Sequence, residues 1–172
     1  MAAGATYTPL ASTTIGTAVA SYTFSSISGS YTDLVAIITA STSNASSQVL
    51  GMTMNGDTTA LYSTTRMYGN GTTASSDRFS AQNSVDVGYL AGTGGTGNSQ
   101  TIVQIQNYSN ATTYKSCLYR WNSENAGATL KYTAAGVGLW RNTAAITSLG
   151  FSFAAGNITA GSTFALYGIA AA

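Results

Sequence analysis

The chain has 172 residues, of which only 6% are charged, and it contains no histidine. Soluble domains carry roughly a quarter charged residues, whereas here serine and threonine supply the polar surface and the formal net charge is +1. A surface with so little net charge repels its neighbours weakly, because colloidal stability depends largely on charge. The composition therefore favours a subunit that sits against copies of itself or another protein over an independent cytosolic enzyme.

The same composition excludes several kinds of chemistry and partner. With no histidine and a single cysteine, Cys117, the chain has no residues for a Ser-His-Asp triad, a zinc site or an internal disulfide. The sequence shows neither a basic signal-peptide start nor an apolar run of roughly 18 residues, so we expect neither export by a signal nor a membrane anchor. Six basic residues are too few to follow a nucleic-acid backbone. With 44% hydrophobic residues, one folded domain over residues 1–172 is expected.

Hydrophobic residues recur with period two along most of the chain, which predicts strands rather than helices. In chain order the predicted strands are residues 7–12, 19–25, 34–39, 49–54, 61–68, 85–90, 101–108, 114–121, 131–140, 149–153 and 164–169. Turn signals rich in Gly, Asn, Asp and Ser separate them. Short strands at near-regular spacing predict a β-sandwich or barrel. Only single helical turns are expected, at residues 122–129 and 143–146.

Alternation within the strands predicts which side chains face the core. Leu149, Phe151 and Phe153 share one face of their strand, and Cys117 shares a face with Trp121. We therefore interpret Cys117 as a small buried hydrophobe rather than a reactive thiol.

Glycosidase chemistry needs only two carboxylates, so the acids were considered as candidate catalysts. They are Asp33, Asp57, Asp77, Asp86 and Glu124. Asp33, Asp57 and Asp77 fall in turn-like contexts, which favours solvated acids over a catalytic pair.

Two glycine-containing motifs have possible ligand-binding interpretations. Residues 92–97 match the G-x-G-x-x-G dinucleotide pattern, but they lead into a predicted strand instead of the helix that must receive the pyrophosphate. Residues 55–57 read Asn-Gly-Asp, which favours a hairpin turn over a calcium loop, because the spaced acids of such a loop are missing. We therefore predict no catalytic residue, metal ligand or cofactor.

Aromatic residues are the remaining candidates for a functional surface, since the chain has eleven tyrosines and two tryptophans. Such side chains join apolar area to a polar tip and are enriched at protein interfaces and sugar-contacting surfaces. The alternative for each tryptophan is a core position with a neighbouring arginine that reaches solvent. The interface candidates are Arg120, Trp121, Trp140, Arg141, Tyr7 and Tyr68.

Over nearly its whole length the chain resembles the small jelly-roll virion structural proteins of tailed bacteriophages. The segments that carry the resemblance are residues 7–12, 30–35, 66–71, 123–126, 138–148 and 165–169. The resemblance implies an all-β, jelly-roll-like antiparallel β-sandwich in a single domain, assembled as a homotrimer, with no catalytic residues and no cofactor. It implies a place in the virion, built in the cytoplasm of the bacterial host.

Within that family the expected role is head decoration (cement), in which the protein stabilises the capsid by binding across major capsid subunits. The alternative is a tail fibre or fibre-tip receptor-binding module that contacts host surface carbohydrate. We expect residues 1–5 and 170–172 to be extended arms, because their alanines and glycine have no side chains suited to a core.

Overall fold

A computed structural model describes residues 6–94, 99–124 and 131–170, and these contain twelve β-strands and no helix. The strands are β1 (Tyr7–Thr14), β2 (Ser21–Phe24), β3 (Asp33–Ala40), β4 (Gln48–Met54), β5 (Tyr62–Gly69), β6 (Ala74–Gln82), β7 (Val85–Leu90), β8 (Ser99–Ile105), β9 (Lys115–Glu124), β10 (Lys131–Trp140), β11 (Leu149–Phe153) and β12 (Thr163–Ile169). Accordingly, nothing in the described part of the chain is a helix long and apolar enough to cross a membrane.

The strands form two sheets that pack as a sandwich. Eight strands pair in the order β1-β12-β3-β8-β9-β10-β5-β6, and four pair in the order β2-β11-β4-β7. Every pair of neighbours is antiparallel. The prediction of an all-β antiparallel sandwich in one domain is confirmed.

The core lies between the two sheets and follows the predicted alternation. Leu149, Phe151 and Phe153 are buried on the inward face of β11, where the Phe151 and Phe164 rings lie 5.8 Å apart. Trp140 is fully buried and stacks on Tyr62 at a ring separation of 6.1 Å. Burial of each ring contributes to hydrophobic stabilisation, because it removes a large apolar area from water.

The sequence patterns missed one strand, β6. Its residues, ASSDRFSAQ, are mostly exposed, and β6 is the edge strand next to β5. An edge strand with polar side chains on both faces shows no hydrophobic alternation, so period-two analysis cannot detect it. The helical turn expected at residues 143–146 is also wrong, since this segment is irregular. Of the turn expected at 122–129, residues 122–124 extend β9 and residues 125–129 lie outside the described residues.

The turn at Asn55-Gly56 is not a hairpin. Both residues have positive φ, 54° and 67°, and the Asp57 amide donates to the Met54 carbonyl at 3.0 Å. The strand before the turn, β4, belongs to the four-stranded sheet, whereas β5 belongs to the eight-stranded sheet. The turn therefore carries the chain from one sheet to the other.

The connection over residues 92–97 joins strand β7 to strand β8, as expected, although residues 95–97 lie outside the described part. Residues 1–5 and 171–172 of the expected arms lie outside it too.

Asp57 has a structural role that the turn context did not suggest. Its Oδ2 accepts the indole N–H of the buried Trp140 at 2.8 Å, and its Oδ1 accepts the Thr59 amide at 2.8 Å. The hydrogen bonds from Thr59, and then that from Trp140, lower the pKa of the Asp57 carboxyl. The carboxylate thus satisfies a donor that the core would otherwise bury unpaired.

We predict that Asp57→Ala lowers the free energy of unfolding by about 1–3 kcal/mol, because the Trp140 indole N–H then lacks an acceptor. Denaturant titration followed by circular dichroism measures the change. Since the pKa of Asp57 is lowered in the fold, the stability it contributes is present above about pH 4 and is lost as pH falls through the folded pKa. Asp57→Asn is the control, since it keeps an amide oxygen for the indole. Equal stability of Asp57→Ala and the unaltered chain would contradict the assignment.

Cys117 is buried on the inward face of β9, as the alternation predicted. Burial raises the pKa of its thiol to about 12. A thiol in this environment has almost no thiolate at neutral pH, and thiolate is the nucleophilic form.

We expect thiol reagents to modify Cys117 about a thousandfold or more slowly in the folded protein than in denaturant, because reaction must await unfolding. Timed alkylation followed by mass spectrometry measures this, and the signal is specific since the chain has one cysteine. Rapid modification in native buffer would show that the strand opens locally.

Candidate docking face of the eight-stranded sheet

One face of the eight-stranded sheet points away from the four-stranded sheet, and we call it the outer face. Strand register places its side chains in rows that run across all eight strands. One row contains Ser12, Ala165, Ile37, Ile102, Arg120, Ala135, Met67 and Ser76. The next contains Pro9, Tyr167, Val35, Gln104, Leu118, Val137, Thr65 and Arg78.

The centre of the outer face is aliphatic and open to solvent. Met67 is 68% exposed, Leu118 48% and Val137 47%. Leu118 and Val137 are direct cross-strand partners on β9 and β10, and Met67 lies on the adjoining strand β5. Met67 pairs with Ala135 and so lies diagonal to Val137, within the reach of a long side chain. We call these three neighbouring exposed residues the aliphatic patch. Exposed apolar patches of this kind mark interaction surfaces in soluble proteins.

Charged groups are nearly absent around the aliphatic patch. Arg120 is the single charged residue in its row and Arg78, on the edge strand β6, is the single one in the next row. The one ion pair among the described residues, Arg66 to Asp77 at 3.1 Å, is not part of these two rows. A partner that covers this face therefore displaces water from apolar atoms and has few charges to desolvate.

The outward face of the four-stranded sheet is different in kind. Its rows consist of small and polar residues: Thr23, Gly150 and Thr53 in one, and Ser21, Ser152 and Gly51 in the next. No large aliphatic side chain stands in either row. The apolar character of the surface is therefore a property of the outer face and is not shared by both faces of the sandwich.

Two shallow grooves cross the outer face. One, of about 670 Å³, lies over β10, β5 and β6 and is lined in part by Met67, Arg120 and Thr133. The other, of about 310 Å³, is lined in part by Ile102, Leu118 and Arg120. Arg120 borders both, so its guanidinium is available to a partner that enters either groove.

The structure distributes the six predicted interface residues over several places. Arg120 and Tyr7 are exposed, Tyr7 beside the ring of Tyr167 at 6.4 Å. Trp121 and Trp140 are buried on inward faces, which is the core position weighed as the alternative. The remaining two, Tyr68 and Arg141, have other roles: Tyr68 is half-buried on the inward side of β5, and Arg141 donates to the Ala60 carbonyl at 2.8 Å.

The aliphatic patch was not among the predicted interface residues. The signal was present in the alternation, because Leu118 and Val137 occupy positions opposite to the buried residues of their own strands. A single aliphatic residue at an outward position does not indicate an interface, because much of any protein surface is apolar. Only strand pairing shows that three such residues from separate strands meet.

The structure gives an interacting partner to four of the five acids. Besides Asp57, Asp33 accepts the Asn107 amide at 2.8 Å and Asp77 pairs with Arg66. Both stand in strands and not in the turns that the sequence suggested. Burial raises the pKa of Asp86, with Arg66 acting in the opposite direction. Within the described ranges no three His, Cys, Asp or Glu side chains are grouped to hold a metal ion.

Comparison with known proteins gives no family. No family model matches the chain, and no curated protein does. Among solved structures it is similar to galectin LEC-6 of Caenorhabditis elegans, with 9% identity and a TM-score of 0.37 over 93% of this chain and 96% of that one. It is also similar to an exo-inulinase of Aspergillus awamori, with 12% identity and a TM-score of 0.38, over 95% of this chain but 29% of the enzyme. A toad ovary galectin in complex with thio-digalactose scores 0.27 at 6% identity, over 84% of this chain and 98% of that one. With scores no higher than 0.38, the fold assignment stands on the strand pairing described above.

We predict that Val137→Lys reduces self-association of the isolated protein, because it places a charge in the centre of the aliphatic patch. The free energy of unfolding should fall by about 1 kcal/mol or less, since Val137 is exposed in a strand. Sedimentation velocity over a concentration series measures the association.

Ser152→Lys is the matched control, as it adds the same charge to the outward face of the other sheet. A native chain that stays monomeric at high concentration would contradict the prediction. Equal behaviour of the two lysine variants would also contradict it.

Proposed function

We propose that this protein is a structural subunit of a bacteriophage virion, most specifically a head decoration protein that acts as a homotrimer. Three lines support the proposal: the resemblance in sequence to small virion structural proteins, the scarcity of charge, and the outer face. The observation that carries it is the aliphatic patch, a solvent-open apolar surface at the centre of the wider sheet. Such a surface suits a protein that is permanently covered by neighbours.

In the proposed mechanism, the aliphatic patch packs against a neighbouring copy, and the resulting trimer straddles several major capsid subunits. Each contact with the shell is weak, but one trimer makes several at once. Linked contacts bind more tightly than any single contact, because each additional one forms at a high effective concentration. A shell held in this way opens only when many small contacts break together.

A receptor-binding fibre-tip module is the second candidate. It is favoured by a pocket walled by aromatic rings on the inward side of the eight-stranded sheet. The two roles differ in copy number, since decoration proteins occur in hundreds per particle and fibres in tens. Densitometry of purified virions distinguishes them.

We predict that the protein stays attached to heads when sodium chloride rises from about 0.1 M to about 1 M, over which the Debye length falls from about 10 Å to about 3 Å. The reason is that apolar burial and neutral hydrogen bonds, rather than ion pairs, hold a subunit with 6% charged residues. Sedimentation of heads followed by quantitation of the bound protein measures attachment.

Val137→Lys should lower head occupancy, because loss of the trimer removes the multiple contacts on which binding depends. Ser152→Lys should leave occupancy unchanged. Release of the unaltered protein by salt alone, or full occupancy by a Val137→Lys monomer, would overturn the proposed mechanism.

A further inference from the structure

A second feature lies on the inward side of the eight-stranded sheet, where β9, β10 and β5 are adjacent. Across these strands Tyr119, Gly136 and Arg66 form one row. Trp121, Ala134 and Tyr68 form the next row. In both rows the middle strand contributes a very small residue between two long side chains. The small residues of β10 therefore leave room for the long side chains of the strands on either side.

Gly136 shows how closely the side chains approach this strand. A Cβ at position 136 would lie 2.3 Å from the Tyr119 hydroxyl oxygen and 2.8 Å from the Thr65 carbonyl oxygen. No side chain fits there, so Tyr119 lies directly over the backbone of β10. In this row the glycine between Tyr119 and Arg66 allows their two side chains to lie next to each other.

A pocket of about 250 Å³ is found at this place. Its lining is Arg66, Tyr68, Tyr89, Trp121 and Tyr132, so four of its five residues are aromatic. The Tyr68 and Tyr132 rings lie 6.3 Å apart with their planes tilted by 58°. The volume is below the roughly 300–1,000 Å³ typical of drug-sized ligands, which limits the occupant to about one ring.

Buried polar atoms without partners lie on the strands that form the pocket, and two of them, on Arg66 and Trp121, belong to its lining residues. Within the described part of the chain, the buried side-chain atoms that lack a hydrogen bond are Arg66 Nη1, Tyr119 Oη, Trp121 Nε1 and Ser123 Oγ. Trp121, Tyr119 and Ser123 are 5%, 4% and 3% exposed and occupy successive inward positions of β9. Leaving such groups unpaired is unfavourable, because burial removes their hydrogen bonds to water and nothing replaces them. A polar ligand that supplied partners would remove that cost.

The charge at the pocket is balanced. Arg66 donates to the Asp77 carboxylate at 3.1 Å, and its guanidinium lies 5.7 Å from the Tyr68 ring centroid and 5.2 Å from that of Phe79. Asp86 also interacts electrostatically with Arg66. Because the single cation already has an anionic partner, the site carries no excess positive charge to recruit an anion.

We propose that this pocket binds one pyranose ring of a neutral glycan. The flat apolar faces of a sugar ring match aromatic walls, and its hydroxyls both donate and accept hydrogen bonds. Among the lining residues, Arg66 and Trp121 carry unpaired donors, and the tyrosines carry hydroxyls, which can both donate and accept. This inference does not depend on the assembly role, since it concerns a different face of the same sheet.

Nuclear magnetic resonance of the two indole N–H groups tests the proposal on the isolated full-length chain. The Trp121 indole lines the pocket and is unpaired, whereas the Trp140 indole is bonded to Asp57 at 2.8 Å and serves as an internal reference. The probes are the methyl glycosides of glucose, galactose, mannose and N-acetylglucosamine, titrated to roughly 0.1 M, about a hundredfold above a Kd of 1 mM. We expect at least one of them to shift the Trp121 signal saturably and to leave Trp140 unmoved.

Variants assign the binding to the pocket. Tyr132→Ala should weaken binding about tenfold through loss of an aromatic wall. Trp121→Phe, which keeps a ring but removes the N–H, should weaken it about two- to tenfold, read from the shifts of the bound glycoside. Tyr114→Ala is the matched control, since Tyr114 is exposed outside the pocket, and it should change nothing. If Tyr132→Ala does not fold, glycoside binding by Trp121→Phe is compared with that by Tyr114→Ala instead.

The proposal is overturned if none of the glycosides moves the Trp121 signal, or if both indoles shift alike. It is equally overturned if the pocket variants bind as well as Tyr114→Ala, or if sodium sulfate or acetate reproduces the shift, since an anion site would then be present. A negative result in this titration would not contradict the proposed attachment to heads, because no capsid is present in the experiment. For the same reason, a protein that failed to attach to heads could still bind the glycosides.

Discussion

The two sheets of this sandwich differ in width, and both the aliphatic patch and the aromatic pocket depend on that difference. Strands in a sheet lie about 4.8 Å apart, so eight strands span far more than the four that pack on them. The edge strand β7 of the smaller sheet contacts β5, β8, β9 and β10, so that a single strand packs against four strands of the wider sheet. On its inward side the wider sheet is therefore covered there by a single strand, and on its outer face the side chains of Met67, Leu118 and Val137 are open to solvent.

Both candidate surfaces are consequences of this arrangement. On the inward side, thin cover by β7 permits Arg66 and Trp121 to line a pocket instead of disappearing into a continuous core. On the outer side, none of the twelve strands in the described ranges covers β9, β10 and β5, and the aliphatic patch is exposed. The same strands, β9, β10 and β5, supply the centre of both. A substitution on these strands acts on one surface or the other according to its parity, since neighbouring residues of a strand face opposite ways.

The sequence predicted the strands well because alternation is a local signal, and β11 and β12 occur almost where period two places them. It missed β6 because an exposed edge strand needs no hydrophobic face. It also could not predict the pocket, whose lining residues Arg66, Tyr89 and Trp121 are far apart in the chain and meet only through strand order. Strand order depends on pairing across long loops, and no spacing in the sequence encodes it. The tryptophans illustrate the same limit: alternation assigned Trp121 a face, but only the sheet order shows which groups share that face.

Scarcity of charge matters more once the partners of the charged groups are known. Arg66 and Asp77 neutralise each other, and Asp57 is engaged by Trp140 and Thr59. Lys115 is fully buried and donates to the carbonyls of Thr113 and Thr143 at 2.7 Å and 3.0 Å, and burial lowers its pKa.

Several of the few ionic groups therefore stabilise the fold and add little to the repulsion between molecules. In the two rows that hold the aliphatic patch, the remaining charges are those of Arg120 and, at the sheet edge, Arg78. Two like charges beside an aliphatic surface oppose close packing only weakly, because salt screens exposed charges beyond about 10 Å. Under the proposed assembly role, association is concentrated on one face, and a subunit with a single such face forms a defined contact where a uniformly uncharged one would aggregate without order.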